Sequence, residues 1–526
     1  MNDRQGTAEQ DFAGVSSAKK DAGLPPPSRI PLAVTLLLGA MLIFWNLGGG
    51  DLTHWDEGRT AERAREILVF NDWLTMHLNY QPDFAKPPLY YWLTALLYQV
   101  MGIHEFAARF WAALFGVLGL YAVYRLGTLL FSAAVGAVAA ALLLTVFLYL
   151  EYARTAMLDT GLLSFGVLAL CAFLSHAFLL GWAFLGVGFM LKGPWILFYL
   201  LPLPIWWFTQ NRWQALRDPR LYLGVGIFLA IVLPWHVAQY ALHGQAFLKA
   251  YIGHEIMERI QQPLNGHEGN PLFYLKRLLE RWHVWFYWFV IGHFAVGWRG
   301  QEGRKLAFLD LWVLAVLLIL NFFINTKMIR YTLIIYPAMA ITVAYFILYA
   351  LEHLRWGKRL LILSGGVVLA LFVHQRDVLL GSRTDLRALG LAVQRHAQGA
   401  QAVVVFRIVE PGLGFYCRRP VQWVWSHEEL GQSMRAGSLL IADRADSLAR
   451  VAEQQGVTLR VLYQGSGYTL IAPSQTPKST ASAIAYGRAG LTPPPAPPQS
   501  RGSAQPRPRL TRARFLSPPA QKSPAS

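Results

Sequence analysis

Two adjacent carboxylates follow the first long apolar run of the chain, in residues 54–59 (HWDEGR). A carboxylate at a membrane surface can act as a general base if it reaches a substrate hydroxyl. Asp56 and Glu57 are therefore candidate catalytic residues. The alternative is that they occupy the N-terminus of a following helix, where negative charge is favoured.

Lys86 lies in residues 84–89 (FAKPPL), directly before two prolines. The prolines restrict the backbone on both sides of the Lys86–Pro87 bond, which predicts a rigid turn. An ammonium group held in this way suits a phosphate as a point charge. A lysine that reaches toward lipid headgroups is the alternative.

Further ionisable residues interrupt or border later apolar runs, where charge is costly and commonly functional. Two of them, Arg154 and Asp159, could also pair with each other and only brace a turn. The others could bind phosphate. For Lys192 the alternative is a lysine at a helix end that reaches toward lipid headgroups. For Lys327, Arg330 and Tyr331 the alternative is an interfacial belt of basic and tyrosine residues.

His267 lies in a glycine-rich segment and could be a metal ligand, a proton shuttle or a solvated loop residue. No metal-ligand spacing accompanies it. The two cysteines, Cys171 and Cys417, suit neither a disulfide framework nor a metal knuckle.

Composition indicates that a membrane surrounds these residues. Of the 526 residues 54% are hydrophobic and only 15% are charged, against about one quarter charged in a typical soluble protein. The net charge of +17 falls largely in short loops and in the last fifty or so residues. A folded basic face for nucleic acid is therefore not expected.

About eleven apolar runs between residues 31 and 374 are near the spanning length of roughly 20 residues. Alternate short loops are basic, which by the positive-inside rule places the N-terminus in the cytoplasm and the C-terminal part outside. Two outer loops are long, at 51–105 and 241–281, and long loops commonly carry chemistry. In the first, apolar residues at helical spacing predict an amphipathic helix in the membrane interface.

The remaining parts have a different character. Residues 375–473 alternate short β-rich runs with helical patterns, which predicts a small α/β domain. Residues 1–29 and the Pro/Ser-rich basic segment 474–526 are predicted to be disordered tails. The fold class expected is an all-α polytopic membrane protein over residues 30–374, with interfacial helices, followed by a small periplasmic α/β domain.

Taken in order along the chain, these segments resemble the GT-C superfamily of membrane glycosyltransferases. The bacterial branch similar to lipid A 4-amino-4-deoxy-L-arabinose transferase and to dolichyl-phosphate-mannose protein mannosyltransferases matches best. The resemblance covers roughly residues 45–340. The matching motifs are residues 56–62 (DEGRTAE), 71–73 (NDW), 84–89 (FAKPPL), 153–159 (ARTAMLD), 191–194 (LKGP) and 326–337 (TKMIRYTLIIYP).

The resemblance implies an inverting glycosyltransferase of the bacterial inner membrane. Its donor would be a sugar on a polyprenyl phosphate, and its acceptor a lipid, a glycan or a protein on the outer face. Asp56, with Glu57, would be the catalytic base, and Arg154, Asp159 and His267 would support the site. The donor phosphate would be bound by Lys86, Arg59, Lys192, Lys327, Arg330 and Tyr331.

One position departs from the family pattern. The family commonly has Glu where this chain has Ala85, and in the aminoarabinose branch that Glu and a loop His are associated with a metal. The sequence therefore predicts no metal and no other cofactor. A flippase of lipid-linked sugar and an inactive scaffold remain alternatives, and the sugar and the acceptor stay open.

Overall fold

The computed structural model describes residues 30–475, except 53–54, 264–268, 271, 297–299, 354, 356, 376, 382–383 and 444–445. The first part is helical apart from one small hairpin. Its elements are α1 (Ile30–Phe44), α2 (Trp55–Phe70), β1 (His77–Leu78), β2 (Gln81–Pro82), α3 (Leu89–Met101), α4 (Glu105–Leu130), α5 (Ala133–Leu144), α6 (Phe147–Ala153), α7 (Asp159–Leu174) and α8 (Phe178–Lys192).

The second part continues the helical bundle with several irregular turns. Its elements are a 3₁₀ helix (Gly193–Leu200), α9 (Pro202–Thr209), a 3₁₀ helix (Trp213–Arg217), α10 (Pro219–His243), α11 (Gln245–Leu248), a π-helix (Lys249–Glu258), α12 (Arg259–Gln261), α13 (Phe273–Trp282), α14 (Val284–Val296), α15 (Gly300–Phe322), a 3₁₀ helix (Ile329–Ile335), α16 (Tyr336–His353), α17 (Gly357–His374) and α18 (Asp377–Leu380).

Six helical segments are long and apolar enough to cross a membrane, or seven if the bent pair α5–α6, with its 75° angle, is one span. This search covers only the residues that the structure describes. Three shorter apolar helices add to them, at Leu32–Phe44, Asp159–Leu174 and Val284–Phe294. These helices confirm the polytopic character, whereas the count of about eleven spans stays a prediction.

The sequence Gly193-Pro194 interrupts an apolar stretch, but the structure continues from α8 through the 3₁₀ helix into α9, and Phe178–Thr209 forms one candidate span. Proline at the first or second position of a helix is compatible with its geometry, so the segment continues past this break.

The C-terminal part is a small α/β unit. Its elements are α19 (Leu386–His396), β3 (Val403–Phe406), α20 (Leu413–Cys417), β4 (Val421–Val424), α21 (His427–Arg435), β5 (Leu439–Ala442), α22 (Asp446–Gln455), β6 (Val457–Gln464) and β7 (Thr469–Gln475). The strands form a five-stranded mixed sheet in the order β4-β3-β5-β7-β6. The strands β3, β4 and β5 are parallel, and β7 pairs antiparallel with β5 and β6. The small α/β unit predicted from the sequence is confirmed as a fold.

Helix α2 lies between the bundle and this α/β unit, which corrects the expectation of an interfacial helix. Its apolar residues are buried, as predicted, but so are the charged residues Glu62, Arg65 and Glu66 on the other side. The α/β unit comes very close, because a Cβ at Gly58 would lie 2.6 Å from the Cα of Gly412. Protein, and not water, therefore covers the side of α2 that carries Glu62, Arg65 and Glu66.

Candidate active site

Charged residues from six separate segments meet beside the first turn of α2. We call this group the charged cluster. Each member forms an ion pair with another member or interacts electrostatically with one. The cluster consists of the cations Arg59, Arg63, Lys86, Lys192, Arg259 and Arg330 and the carboxylates Asp56, Asp83, Asp159 and Glu255.

Asp56 lies in the first turn of α2 and forms an ion pair with Arg330, which is 274 residues away in the sequence. Its side chain is 32% exposed, so a substrate can reach it. Burial alone would raise the pKa of Asp56. The nearby cations Arg330, Lys86 and Arg59 outweigh that effect and lower the pKa below its usual range. Asp56 is therefore ionised and accessible.

Lys86 lies in the turn that leads into α3, where Pro87 and Pro88 fix the backbone. Its ammonium contacts a carboxylate oxygen of Glu255 at 3.2 Å. Burial lowers the pKa of Lys86, although Glu255 opposes this effect. Glu255 also binds Arg259 at 3.0 Å, and these two cations hold the pKa of Glu255 at about 2 in spite of its burial.

A second layer of the cluster lies deeper. Lys192, at the end of α8, forms an ion pair with Asp159, at the start of α7. Both side chains line one recess with Arg330, Tyr199 and the ring of Tyr331.

Stacked aromatic rings form one wall of this recess. Tyr331 stacks on Trp195, with ring centroids 4.1 Å apart and planes inclined by 22°. The Tyr199 hydroxyl and the Nε atom of Arg330 are buried, and neither has a hydrogen-bond partner among the residues that the structure describes. Such groups are costly unless a ligand or water completes them.

The cluster is not electrically balanced. Every one of its carboxylates already contacts a protein cation, and Glu255 contacts two. Arg59 is partly exposed and has no ion pair within the described part of the chain. Six cations against four carboxylates leave two positive charges for a ligand. A terminal phosphate carries about −1.5 to −2 at neutral pH.

The structure separates Glu57 from Asp56, which corrects their joint placement as catalytic residues. The Glu57 side chain is 1% exposed and accepts two hydrogen bonds from Arg109, at 2.7 and 3.1 Å. It also accepts one from the backbone N–H of Ala156 at 2.9 Å. Successive residues of a helix point in different directions, so Glu57 anchors α2 to the bundle while Asp56 faces the cluster.

Two other candidates have structural partners. Arg154 does not pair with Asp159. It donates hydrogen bonds to four backbone carbonyls, of Leu42, Ile43, Val378 and Leu379. The ammonium of Lys327 donates to the carbonyls of Leu320, Asn321 and Ile324, each at 2.7 Å, and so caps the end of α15. The carbonyl contacts of Lys327 contradict its expected direct role at the phosphate. Arg154 was expected to support the site or to pair with Asp159, and it instead connects two backbone segments.

His267 and its neighbour Glu268 lie outside the described residues. Within the described ranges, no group of three or more His, Cys, Asp or Glu side chains could hold a metal ion. Independence from a metal therefore stays a prediction.

The structure also adds residues that the sequence analysis missed. Glu255 and Arg259 lie in the second long outer loop, and their spacing of four residues is typical of an ion pair on a helix. That spacing was the available signal. Asp83 and Arg63, which contact each other at 2.7 Å, belong to the first loop. Nothing in the spacing of Glu57 and Arg109 indicates their pairing, because 52 residues separate them.

Comparison with known sequences finds similarity to the families that the motifs resemble. Residues 85–237 match the family described as dolichyl-phosphate-mannose-protein mannosyltransferase. The chain is 31% identical over 306 residues to undecaprenyl phosphate-alpha-4-amino-4-deoxy-L-arabinose arabinosyl transferase 2 of Pseudomonas fluorescens, covering 54% of each protein. It is 32% identical over 269 residues to the corresponding transferase of Edwardsiella ictaluri, covering 47% of each. The match thus spans about half the length of these relatives.

A solved structure shares the fold over a larger part of the chain. ArnT from Cupriavidus metallidurans bound to undecaprenyl phosphate superimposes with a TM-score of 0.67 at 18% identity. The superposition covers 85% of this chain and 98% of that protein. The predicted resemblance to GT-C glycosyltransferases is confirmed by these matches, and the fold is that of ArnT.

Proposed function

We propose that this protein transfers a sugar from a polyprenyl-phosphate donor to an acceptor hydroxyl, with inversion at the sugar carbon that reacts. The observation that carries the proposal is the accessible carboxylate of Asp56 inside a cluster with two surplus positive charges. A base and an anion site side by side are what this transfer requires. The names of the similar proteins, which act on or bind undecaprenyl phosphate, support the same donor class.

The reaction is a single displacement. The acceptor hydroxyl oxygen attacks C1 of the sugar, and Asp56 takes the hydroxyl proton. The bond between C1 and the phosphate oxygen breaks, and its electron pair leaves with the polyprenyl phosphate. In this proposal Arg59, Lys86 and Arg330 neutralise the charge that develops there. Since no protein nucleophile intervenes, the configuration at C1 inverts.

The ion pair between Asp56 and Arg330 couples donor binding to base strength. While Arg330 contacts Asp56, the low pKa of that carboxylate makes it a weak base. A donor phosphate competes for Arg330. When the guanidinium turns to the phosphate, the pKa of Asp56 rises and its basicity increases. The base then becomes effective when the leaving group is in place.

The test is release of polyprenyl phosphate from purified protein supplied with a lipid-linked sugar and an acceptor. Asp56→Asn keeps the shape but removes the base, so we expect turnover to fall by about 10²-fold or more while donor binding persists. Asp218→Asn is the matched control, because Asp218 also pairs with an arginine, Arg220, but lies outside the cluster. Wild-type turnover in Asp56→Asn would refute the role of Asp56.

The same assay separates the enzyme from a flippase. A flippase moves the lipid-linked sugar without cleaving it, so it releases no polyprenyl phosphate.

We further propose a cytoplasmic N-terminus, an outer α/β unit and catalysis without a metal. A reporter that is fluorescent only in the cytoplasm should show no fluorescence when fused to the end of the full chain. Activity should survive chelation with EDTA. A fluorescent fusion, or activity that zinc or magnesium restores after EDTA, would contradict the respective proposal.

A further inference from the structure

The segment directly before α2 lies between the helical bundle and the α/β unit. It comprises residues 49–52 and precedes Asp56 by only a few positions. From the bundle side, Arg109 donates to the backbone carbonyl of Asp51 at 2.9 Å and to the carboxylate of Glu57 at 2.7 Å. Because Glu57 adjoins Asp56 in the sequence, Arg109 fixes one side of the turn that carries the proposed base.

The α/β unit holds the same segment from the other side. The backbone N–H of Leu52 donates to the hydroxyl of Tyr416, in α20, at 2.8 Å. This hydroxyl in turn donates to the carboxylate of Glu105, at the start of α4, at 2.9 Å. All three residues are buried. The carboxylate of Asp51 also accepts from the backbone N–H of Leu386, in α19, at 3.1 Å. The Tyr416 hydroxyl thus connects the backbone before α2 to the bundle.

Two glycines bring the α/β unit into close contact with the first turn of α2. A Cβ at Gly58, two residues after Asp56, would lie 2.6 Å from the Cα of Gly412. A Cβ at Gly412 would lie 2.8 Å from the carbonyl oxygen of Leu52. Both distances are shorter than a carbon atom tolerates, so the backbones are already in contact. The bundle and the α/β unit therefore hold this turn from opposite sides.

The cations proposed for the donor phosphate depend less on the α/β unit than the base does. Lys86 is held by Glu255, and Arg330 lies in the 3₁₀ helix Ile329–Ile335, so both belong to the helical bundle. Arg59 shares α2 with Asp56. Loss of the contact with the α/β unit should therefore change proton transfer more than it changes phosphate binding.

We infer that the α/β unit positions the catalytic base, and that Tyr416 is the residue through which it holds Asp56 in place for proton transfer. The inference rests on the proposed function. A catalytic side chain keeps its geometry only when the surrounding contacts hold it, and a displacement of about 1 Å can lower turnover by about 10²-fold. Tyr416 lies beyond residues 85–237, which match the family model, so that match does not indicate this role.

Tyr416→Phe tests the inference by removing only the hydroxyl. Leu52 N–H then lacks its acceptor, whereas Glu105 keeps a hydrogen bond from Arg387 at 2.8 Å. We expect kcat to fall about tenfold or more, while the affinity of the purified chain for labelled undecaprenyl phosphate changes less than about threefold. Such a split indicates an interaction that matters in the transition state and not in donor binding.

Turnover is measured as release of undecaprenyl phosphate from three donors, which carry arabinose, 4-amino-4-deoxyarabinose or mannose. Inner-membrane vesicles that contain the full-length chain supply lipids, glycans and proteins as acceptors. Vesicles without the chain give the background.

Asn79→Gly is the control that separates positioning of the base from attachment of the α/β unit. The Asn79 side chain donates to the carbonyl of Val421 at 2.8 Å and accepts from the N–H of the same residue at 2.7 Å. The variant therefore also removes two hydrogen bonds between the bundle and the α/β unit. Glycine suits the φ of 53° at this position. We expect a lower unfolding midpoint in both variants, but a near-wild-type kcat in Asn79→Gly.

Gly412→Ala perturbs the same contact without removing a hydrogen-bonding group. Its methyl group would displace the Leu52 carbonyl, so kcat should fall again while binding of undecaprenyl phosphate changes little. Gly467→Ala is the matched control in the α/β unit, because a Cβ there meets no atom within 4 Å. It should keep the wild-type turnover.

Hydrogen exchange gives a measurement that does not require turnover. The backbone amides of α2 should exchange faster in Tyr416→Phe than in the wild type, while those of the 3₁₀ helix that carries Arg330 should not change. An unchanged kcat in Tyr416→Phe, or an equal loss of kcat in Asn79→Gly, would overturn the inference. If the wild type cleaves a donor and Tyr416→Phe cleaves it equally fast, only this inference fails. If the wild type cleaves none of the donors, the proposed function fails and this inference fails with it.

Discussion

Helix α2 carries charged residues on two sides, and their surroundings differ. On one side Asp56, Arg59 and Arg63 belong to the charged cluster, which is partly open and has two surplus positive charges. On the other side Glu62, Arg65 and Glu66 face the α/β unit and are closed off from water. We call this second group the buried joint.

The buried joint has more carboxylates than cations, whereas the charged cluster has more cations than carboxylates. Arg65 donates two hydrogen bonds to Glu62, both at 2.7 Å. Within the described part of the chain, Glu66 forms no ion pair. Glu66 instead accepts from the backbone N–H of Tyr80, at 3.0 and 3.1 Å. Burial, followed by the proximity of Glu62, raises the pKa of Glu66 to about 9. A proton on Glu66 therefore balances the joint, whereas the open cluster requires an anionic ligand.

The strongest test of this comparison removes the anchor that both sides of α2 share. Arg109 binds Glu57 and also donates to the backbone carbonyls of Leu47, Gly49 and Asp51. Arg109→Met leaves a buried carboxylate without its cation, so we expect the free energy of unfolding to fall by about 3–5 kcal/mol. Thermal unfolding in detergent measures the loss.

Arg220→Met is the matched control for Arg109→Met. Arg220 pairs with Asp218 at the surface, where such pairs contribute little to stability. Its unfolding midpoint should match that of the wild type. An unchanged midpoint in Arg109→Met would show that the pair with Glu57 does not hold α2 in place.

The next test changes the surplus charge of the open cluster. Glu255 engages both Lys86 and Arg259, so Glu255→Gln frees a cation at the anion site. We expect polyprenyl phosphate to bind about threefold to tenfold more tightly, which corresponds to about 0.7–1.4 kcal/mol. Turnover should then become limited by product release.

Glu258→Gln is the control, since Glu258 ends the same π-helix but pairs with the exposed His254. Inhibition constants for added undecaprenyl phosphate compare the two variants. Weaker product inhibition in Glu255→Gln than in the wild type would show that Glu255 does not compete with the phosphate.

How far the sequence predicts this structure depends on the distance over which residues interact. The strand β3 and the helix α22 belong to the small α/β unit that the sequence predicts at residues 375–473. These elements follow from local alternation and periodicity. The motifs predict that Asp56, Lys86 and Arg330 belong to one site, but they do not predict which residues form ion pairs with them. Whether Lys192 contacts a phosphate or Asp159, and whether Lys327 contacts a phosphate or three carbonyls, is decided by packing between distant segments.

The third test concerns the proton on Glu66 in the buried joint, and it is expected to change activity least. An unfolded glutamate loses its proton near pH 4.5, whereas folded Glu66 keeps its proton to about pH 9. Between these values the folded state binds more protons than the unfolded state, so this group makes stability decrease as the pH rises through that window. Above pH 9 both states have lost the proton and the decrease ends.

Glu66→Gln should remove this dependence, because the amide is neutral at every pH and can still donate to Glu62 and accept from Tyr80 N–H. The wild-type unfolding midpoint should decline between pH 5 and pH 9, while that of the variant declines less and turnover at pH 7 stays near the wild-type value. Glu453→Gln, at an exposed position of α22, should keep the wild-type slope. If the unfolding midpoints of Glu66→Gln and the wild type change with pH in parallel, a proton on Glu66 does not neutralise the surplus charge of the buried joint. The two sides of α2 would then differ only in their exposure to solvent.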